Sequence, residues 1–142
     1  MTCMLFLEDG RALHRSNLAY SSMLELVARE VSDPHTKLRV WLSDLADRPS
    51  PFGEFDMRGL TEEHRAEFWA AAERALELTI GRHGPDEASW PDNAYGAECL
   101  AHLMRLHRSI VAGEPASVLN DLDKATEFDG RMEDLDHLWT DA

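Results

Sequence analysis

Three side chains with useful chemistry fall close together on one predicted helix: Glu98, Cys99 and His102. Residues three or four apart share a helix face, so a carboxylate, a thiol and an imidazole could meet there. Such a set suits a nucleophile with its base, or part of a zinc site. Zinc needs a third and a fourth ligand, and no paired Cys/His spacing in the chain supplies them. The apolar face around Cys99 instead favours core packing, and a surface pair of Glu98 with His102 is the simpler interpretation.

The remaining motifs of chemical interest are incomplete. Asp121-x-Asp123 begins like a calcium loop, but Ala125 stands at the third ligand position and Thr126 where glycine is required. The glycine spacing matches neither a P-loop nor a dinucleotide-binding loop, and no serine lies in a nucleophile elbow. We therefore predict no catalytic residue, no metal site and no cofactor. An enzyme that uses the three side chains described above is an alternative hypothesis.

The charge of the chain is strongly negative and unevenly distributed. The net charge is −13, and residues 114–142 carry 9 acidic and 2 basic side chains. Such a field repels nucleic acid and anionic membranes, and it attracts a basic protein or a cation. The alternative is that the charge serves solubility alone. We predict a basic protein partner, and neither a nucleic-acid partner nor a membrane partner.

The N-terminal sequence gives no targeting signal. Residues 1–7 are apolar, but no basic residue precedes them, and Glu8 follows too soon for a signal peptide. No apolar run approaches the roughly 20 residues that cross a bilayer. These features predict a cytoplasmic protein. Cys3 and Cys99 fit reduced thiols in that compartment, without excluding a disulfide between them.

The hydrophobic periodicity predicts a mainly α fold in which residues 1–142 form a single domain. That domain is a bundle of five or six helices with a short N-terminal β-hairpin. The predicted strands cover residues 3–7 and 11–14, and the predicted helices cover 18–31, 35–46, 61–82, 94–112, 116–124 and 132–139. Helix 61–82 is expected to be the central one, with Thr61 as its N-cap and Gly84 at its C-terminal end.

The inward faces of three consecutive predicted helices are expected to share one core. Its expected members are Trp41, Leu42, Phe68, Trp69, Leu76, Leu100, Leu103 and Ile110. Ile80 and Val111 are assigned to the same inward faces. Asp92 or Asn93 is expected to cap the helix over 94–112.

The segment from Phe55 to Trp69, FDMRGLTEEHRAEFW, is similar to a stretch found in some bacterial toxin-immunity proteins. The chain also resembles those proteins in its small size, its acidity and its lack of a catalytic motif. The resemblance implies an inhibitor that binds and neutralises a cognate toxin encoded nearby. Because immunity proteins span many folds, the resemblance assigns no binding residue.

From the residues themselves, we predict that the acidic C-terminal end forms the binding surface. Such a surface could cover the basic cleft of a toxin that acts on nucleic acid, such as a nuclease. The predicted partner-binding residues are the acids Asp121, Asp123, Glu127, Asp129, Glu133, Asp134 and Asp136 and the aromatic anchors Trp90 and Trp139. The alternative is a small-molecule-binding or regulatory module with a pocket lined by Trp41, Trp69 and Trp90.

Overall fold

A computed structural model describes residues 2–8, 12–47 and 55–113 of the chain. The elements are β1 (Thr2–Phe6), β2 (Ala12–Ser16), α1 (Asn17–Glu30), α2 (Thr36–Asp47), β3 (Phe55–Asp56), α3 (Glu62–His83) and α4 (Tyr95–Val111). The fold is mainly α, as the periodicity predicts. Four α-helices lie in the described residues, fewer than the five or six expected. The predicted helices over 116–124 and 132–139 lie outside the described residues.

The strands form a three-stranded sheet in the order β2-β1-β3. The predicted hairpin is confirmed, because β1 and β2 pair antiparallel with Thr2 opposite Ser16. The periodicity does not predict β3, which is two residues long and pairs parallel to β1 through Phe55 opposite Leu5. This pairing holds the fully buried Phe55 ring 5.2 Å from Trp41 and 4.9 Å from Phe68, measured between ring centroids. The short strand therefore links the sheet to the helical core.

The central helix is α1, and the expectation that residues 61–82 form the centre is wrong. Among the described elements, α1 packs against α2, α3, α4 and both strands of the hairpin. Its buried residues are Ala19, Tyr20, Met23, Leu24, Val27 and Ala28. Six of the 14 residues of α1 are buried, compared with seven of the 22 residues of α3. The number of elements that pack on a helix decides which one is central, and periodicity does not contain that number.

The helix ends follow capping chemistry at α1 and α3 but not at α4. The Ser16 hydroxyl accepts a hydrogen bond from Ala19 N at 3.2 Å, and the Thr61 hydroxyl accepts one from His64 N at 3.1 Å. Gly84 ends α3 with a φ of 91°, a conformation that favours glycine. At α4 the N-cap is Ala94. The predicted caps Asp92 and Asn93 are wrong, because these residues form a turn that starts the helix later.

The predicted core is confirmed as one cluster, with Trp41 and Ile110 only partly buried at its edge. Two inward assignments are wrong: Ile80 is 36% exposed and Val111 is 73% exposed. Thr79, assigned from the sequence to the same stripe, is buried, and its hydroxyl is satisfied by donating to the Ala75 carbonyl at 3.1 Å. No helix in the described ranges is both long enough and apolar enough to cross a membrane.

Candidate functional site

His102 on α4 is buried against the sheet and does not form the surface pair with Glu98 expected from the sequence. The side chain is 0% exposed, and its Nδ1 atom accepts a hydrogen bond from the Arg15 guanidinium of β2. Burial, followed by the charges of Arg15 and Arg105, lowers the pKa of His102 to about 2. Because a guanidinium only donates, the proton of the neutral imidazole lies on Nε2. This histidine therefore stays uncharged near neutral pH and has no access to a solvent-borne substrate.

Cys99 is also part of the packing between α1 and α4. Its thiol is 2% exposed, and its Sγ atom lies 3.5 Å from the Met23 Sδ atom. Glu98, in contrast, is exposed. Glu98 thus faces solvent, whereas Cys99 and His102 are buried. The three side chains do not come together at an accessible site. Within the described residues, no group of three or more His, Cys, Asp or Glu side chains is placed to hold a metal ion.

An acidic surface surrounds the beginning of α4, and we define the α4 acidic surface as Glu87, Asp92, Tyr95 and Glu98. Burial, then the charges of Glu87 and Asp92, raise the pKa of the Glu98 carboxyl, with Arg15 opposing them. Asp92 and Glu98 form no ion pair with any residue that the structure describes. The repulsion from the two neighbouring carboxylates therefore outweighs the opposing charge of Arg15 at Glu98.

Glu87 differs from the other two acids of this surface because a cation holds it. Arg105 Nη1 donates to both Glu87 carboxylate oxygens at 3.1 Å, which fixes this acid against α4. Tyr95 lies three residues after Asp92 and three before Glu98, and it is 44% exposed. The surface thus combines an exposed aromatic ring with two unpaired carboxylates. Tyr95 is not among the binding residues predicted from the sequence, although its position between two acids at helical spacing is visible there.

Trp90 is buried, so its predicted role as an exposed contact residue is wrong. The ring is 6% exposed, and its indole N–H donates to the Gly84 carbonyl at 2.9 Å. The loop between α3 and α4 folds back so that the Gly84 carbonyl, at the C-terminal end of α3, accepts the hydrogen bond of the indole N–H. The other predicted partner-binding residues, the seven C-terminal acids and Trp139, lie outside the described residues.

A cavity of about 430 Å³ lies between α2, the beginning of α3 and the segment that joins β3 to α3. We call it the Trp41 cavity. Its lining residues are Lys37, Leu38, Trp41, Asp56, Gly59, Leu60 and His64. Of the three tryptophans assigned to a pocket from the sequence, only Trp41 lines this one. Trp69 stacks on the His107 ring at 3.8 Å and donates from its indole N–H to Glu8.

The polar groups of the Trp41 cavity differ in whether they already have partners. Asp56 receives hydrogen bonds from Arg58 Nε and Nη2, both at 2.9 Å, and these bonds lower the pKa of its carboxyl. Lys37 is exposed and forms no ion pair with a described residue. The half-buried His64 ring lies edge-on to His35, with 6.0 Å between the centroids. The polar side chains that remain available at the cavity are therefore the Lys37 ammonium and the His64 imidazole.

The segment from Met57 to Leu60 forms a fixed wall of the cavity. Arg65 on α3 donates from Nε to the Met57 carbonyl at 3.3 Å and from Nη2 to the Leu60 carbonyl at 3.1 Å. These bonds tie the wall to the first turns of α3.

No protein-family profile, no curated protein and no solved structure matches this chain.

Proposed function

We propose that this chain is an acidic cytoplasmic protein that binds and neutralises a basic protein toxin, in the manner of the bacterial immunity proteins that residues 55–69 resemble. The observation that carries the proposal is the α4 acidic surface, where Asp92 and Glu98 lie beside an exposed Tyr95 without ion-pair partners among the described residues. The net charge of −13 adds a long-range field of the same sign.

The electrostatics of this surface favour a cationic partner. The raised pKa of Glu98 reflects burial and repulsion from Glu87 and Asp92, so its ionised form has a free-energy cost in the isolated protein. Lysine or arginine side chains of a partner would remove the repulsive part of that cost. Complementary fields also accelerate association and make it sensitive to salt. Tyr95 supplies the kind of aromatic contact that dominates binding energy at protein interfaces.

The C-terminal acids extend the same proposal. Residues 114–142 carry 9 acidic and 2 basic side chains, more excess negative charge than the rest of the chain in proportion to length. A toxin directed at nucleic acid has a basic cleft that such charge would cover, and Trp139 stays a predicted anchor. The enzyme alternative has less support, because Cys99 and His102 are 2% and 0% exposed.

Capture of the partner from the source organism tests this proposal. The baits are the wild-type protein, the double variant Asp92→Lys/Glu98→Lys, and the control variant Asp44→Lys/Asp47→Lys. The control reverses two exposed acids on α2 and changes the net charge equally. We expect the wild-type and control baits to retain a basic protein that the α4 variant loses.

The melting temperatures of the three baits must agree, so that a loss of binding is not a loss of folding. A further bait, Asp134→Lys/Asp136→Lys, asks whether the C-terminal acids contribute to the same interaction. An acidic captured partner would contradict the proposal. Equal retention of the partner by both charge-reversed baits would contradict it as well.

A further inference from the structure

We propose that the Trp41 cavity is a binding site for a small aromatic anion, such as an aromatic carboxylate, separate from the α4 acidic surface. The cavity volume of about 430 Å³ lies within the range that ligand pockets occupy, about 300 to 1,000 Å³. Its lining also has the usual composition, with apolar side chains and a small number of polar groups.

The apolar part of the site suits a flat ring. Trp41 is only partly buried, although its ring packs at 5.2 Å and 34° on Phe55 beneath it. Leu38, which is 2% exposed, and the partly buried Leu60 provide aliphatic surface beside the indole. A ring seated against Trp41 gains contact with an indole whose position is already fixed by Phe55. Binding therefore requires little ordering of the floor of the cavity.

The charge of the ligand follows from which polar groups are already neutralised. Asp56 is the one carboxylate among the described lining residues, and two hydrogen bonds from Arg58 compensate its charge. Lys37 has no ion-pair partner among the described residues, and none of the side-chain hydrogen bonds described there involves the His64 ring. The group left to recognise a ligand is thus an ammonium beside an imidazole. A carboxylate of the ligand would pair with Lys37 and accept a hydrogen bond from His64.

The wall of the site is fixed before a ligand arrives. The two hydrogen bonds from Arg65 to the Met57 and Leu60 carbonyls hold that segment against α3. A pre-formed wall reduces the entropy lost on binding, so a small ligand can bind with few contacts.

The experiment is calorimetric titration of the full chain with 2-naphthoate as the probe. Its neutral analogue 2-naphthamide and its cationic analogue 2-naphthylmethylammonium have nearly the same shape. We expect saturable binding of one 2-naphthoate per chain, weaker binding of the amide and weakest binding of the cation. In Lys37→Gln, 2-naphthoate affinity should fall about twofold to fivefold, the range of an exposed ion pair. Arg29→Gln is the matched control, because it removes an exposed arginine that does not line the cavity.

A second variant tests the location by filling the site. Leu60→Trp places an indole at a lining position and should abolish 2-naphthoate binding while the melting temperature stays close to that of the wild type. Equal affinity for 2-naphthoate and 2-naphthamide would overturn the proposal, because the Lys37 ammonium would then not distinguish a carboxylate from a neutral amide. Unchanged 2-naphthoate binding in Lys37→Gln would overturn it independently of Leu60→Trp. Neither result depends on whether a toxin partner is captured.

Discussion

The contact between α1 and α4 is closed, whereas the junction of α2 with α3 is open. At the first, a Cβ atom added to Gly96 would lie 2.6 Å from Ser22 Cβ and 2.8 Å from the Ser22 carbonyl carbon, so the two helices meet backbone to backbone. At the second, α2 and α3 make little direct contact, and the Trp41 cavity of about 430 Å³ lies between them.

This difference shows that the side chains with reactive groups and the solvent-accessible cavity lie in different parts of the molecule. Cys99 lies in the closed region, and His102 on the same helix is buried beside Arg15 of β2. The open region contains Lys37 and His64, which belong to no catalytic or metal-binding motif. Candidate sites in this protein are therefore better found from incomplete packing and uncompensated charge than from residue type.

The largest expected effect is the loss of a fully buried leucine from the core. Leu103→Ala and Leu42→Ala should each lower the free energy of unfolding by about 2–5 kcal/mol, since both side chains are 0% exposed. Leu60→Ala, at the open junction, should cost about 1 kcal/mol or less because its side chain is already partly solvated. Urea unfolding measures all three. Losses under about 0.5 kcal/mol at both Leu42 and Leu103 would show that the core is not packed as described.

The second prediction concerns the backbone contact at Gly96. Gly96→Ala should lower the free energy of unfolding by about 1–3 kcal/mol, because the new methyl group meets the Ser22 backbone, which cannot move aside easily. Helix propensity alone predicts the opposite sign, with a gain of up to about 1 kcal/mol. Gly81→Ala on α3 is the matched control, since a Cβ there has nothing within 4 Å. If both variants are stabilised, α1 and α4 are farther apart than the structure indicates.

The third prediction uses the buried His102. In the unfolded chain this histidine binds a proton below a pH of about 6.5, whereas in the folded protein its pKa is lowered to about 2. The unfolded state therefore takes up an extra proton on acidification, and stability falls as the pH drops below about 6.5. His102→Gln should lower stability at pH 7 through the altered contact with Arg15, and it should reduce the fall in stability between about pH 7 and pH 5. Urea unfolding across that range measures both effects, and an unchanged slope would mean that His102 is not buried as a neutral ring.

The smallest expected effect is at the α4 acidic surface. Glu98→Gln should raise the free energy of unfolding at pH 7 by about 0.5 kcal/mol or less, because it removes a carboxylate whose pKa is raised by burial and repulsion. The gain should vanish at low pH, where the wild-type carboxyl is protonated as well. Glu77→Gln, at an exposed acid of α3, is the comparison variant. A loss of stability at pH 7 would indicate that Glu98 is engaged in a favourable interaction instead.

Local sequence patterns predict the elements of this fold well. The spacing of apolar residues gives the four described helices and the hairpin, and hydroxyl chemistry gives the cap Thr61. These features depend on neighbours in sequence, so one sequence is sufficient to predict them. The central position of α1 is different, because it depends on how many elements surround a helix.

The candidate sites depend on tertiary contacts that periodicity does not contain. Trp90 looks exposed among polar residues, yet the carbonyl of Gly84 satisfies its indole N–H and allows burial. His102 looks like a surface residue beside Glu98, yet Arg15 arrives from a strand 87 positions away in sequence. The Trp41 cavity likewise requires three separate segments to meet. Its residues belong to no ligand-binding motif, so only the assembled structure identifies the cavity.

The most direct test of the proposed function is the salt dependence of the association rate with the captured partner. Lowering the ionic strength from about 1 M to 0.01 M lengthens electrostatic screening from about 3 Å to 30 Å. The wild-type protein and Asp44→Lys/Asp47→Lys should then associate at least about tenfold faster, whereas Asp92→Lys/Glu98→Lys should lose most of that acceleration. A wild-type association rate that does not change with salt would contradict the claim that this acidic protein recognises a basic partner through its charge.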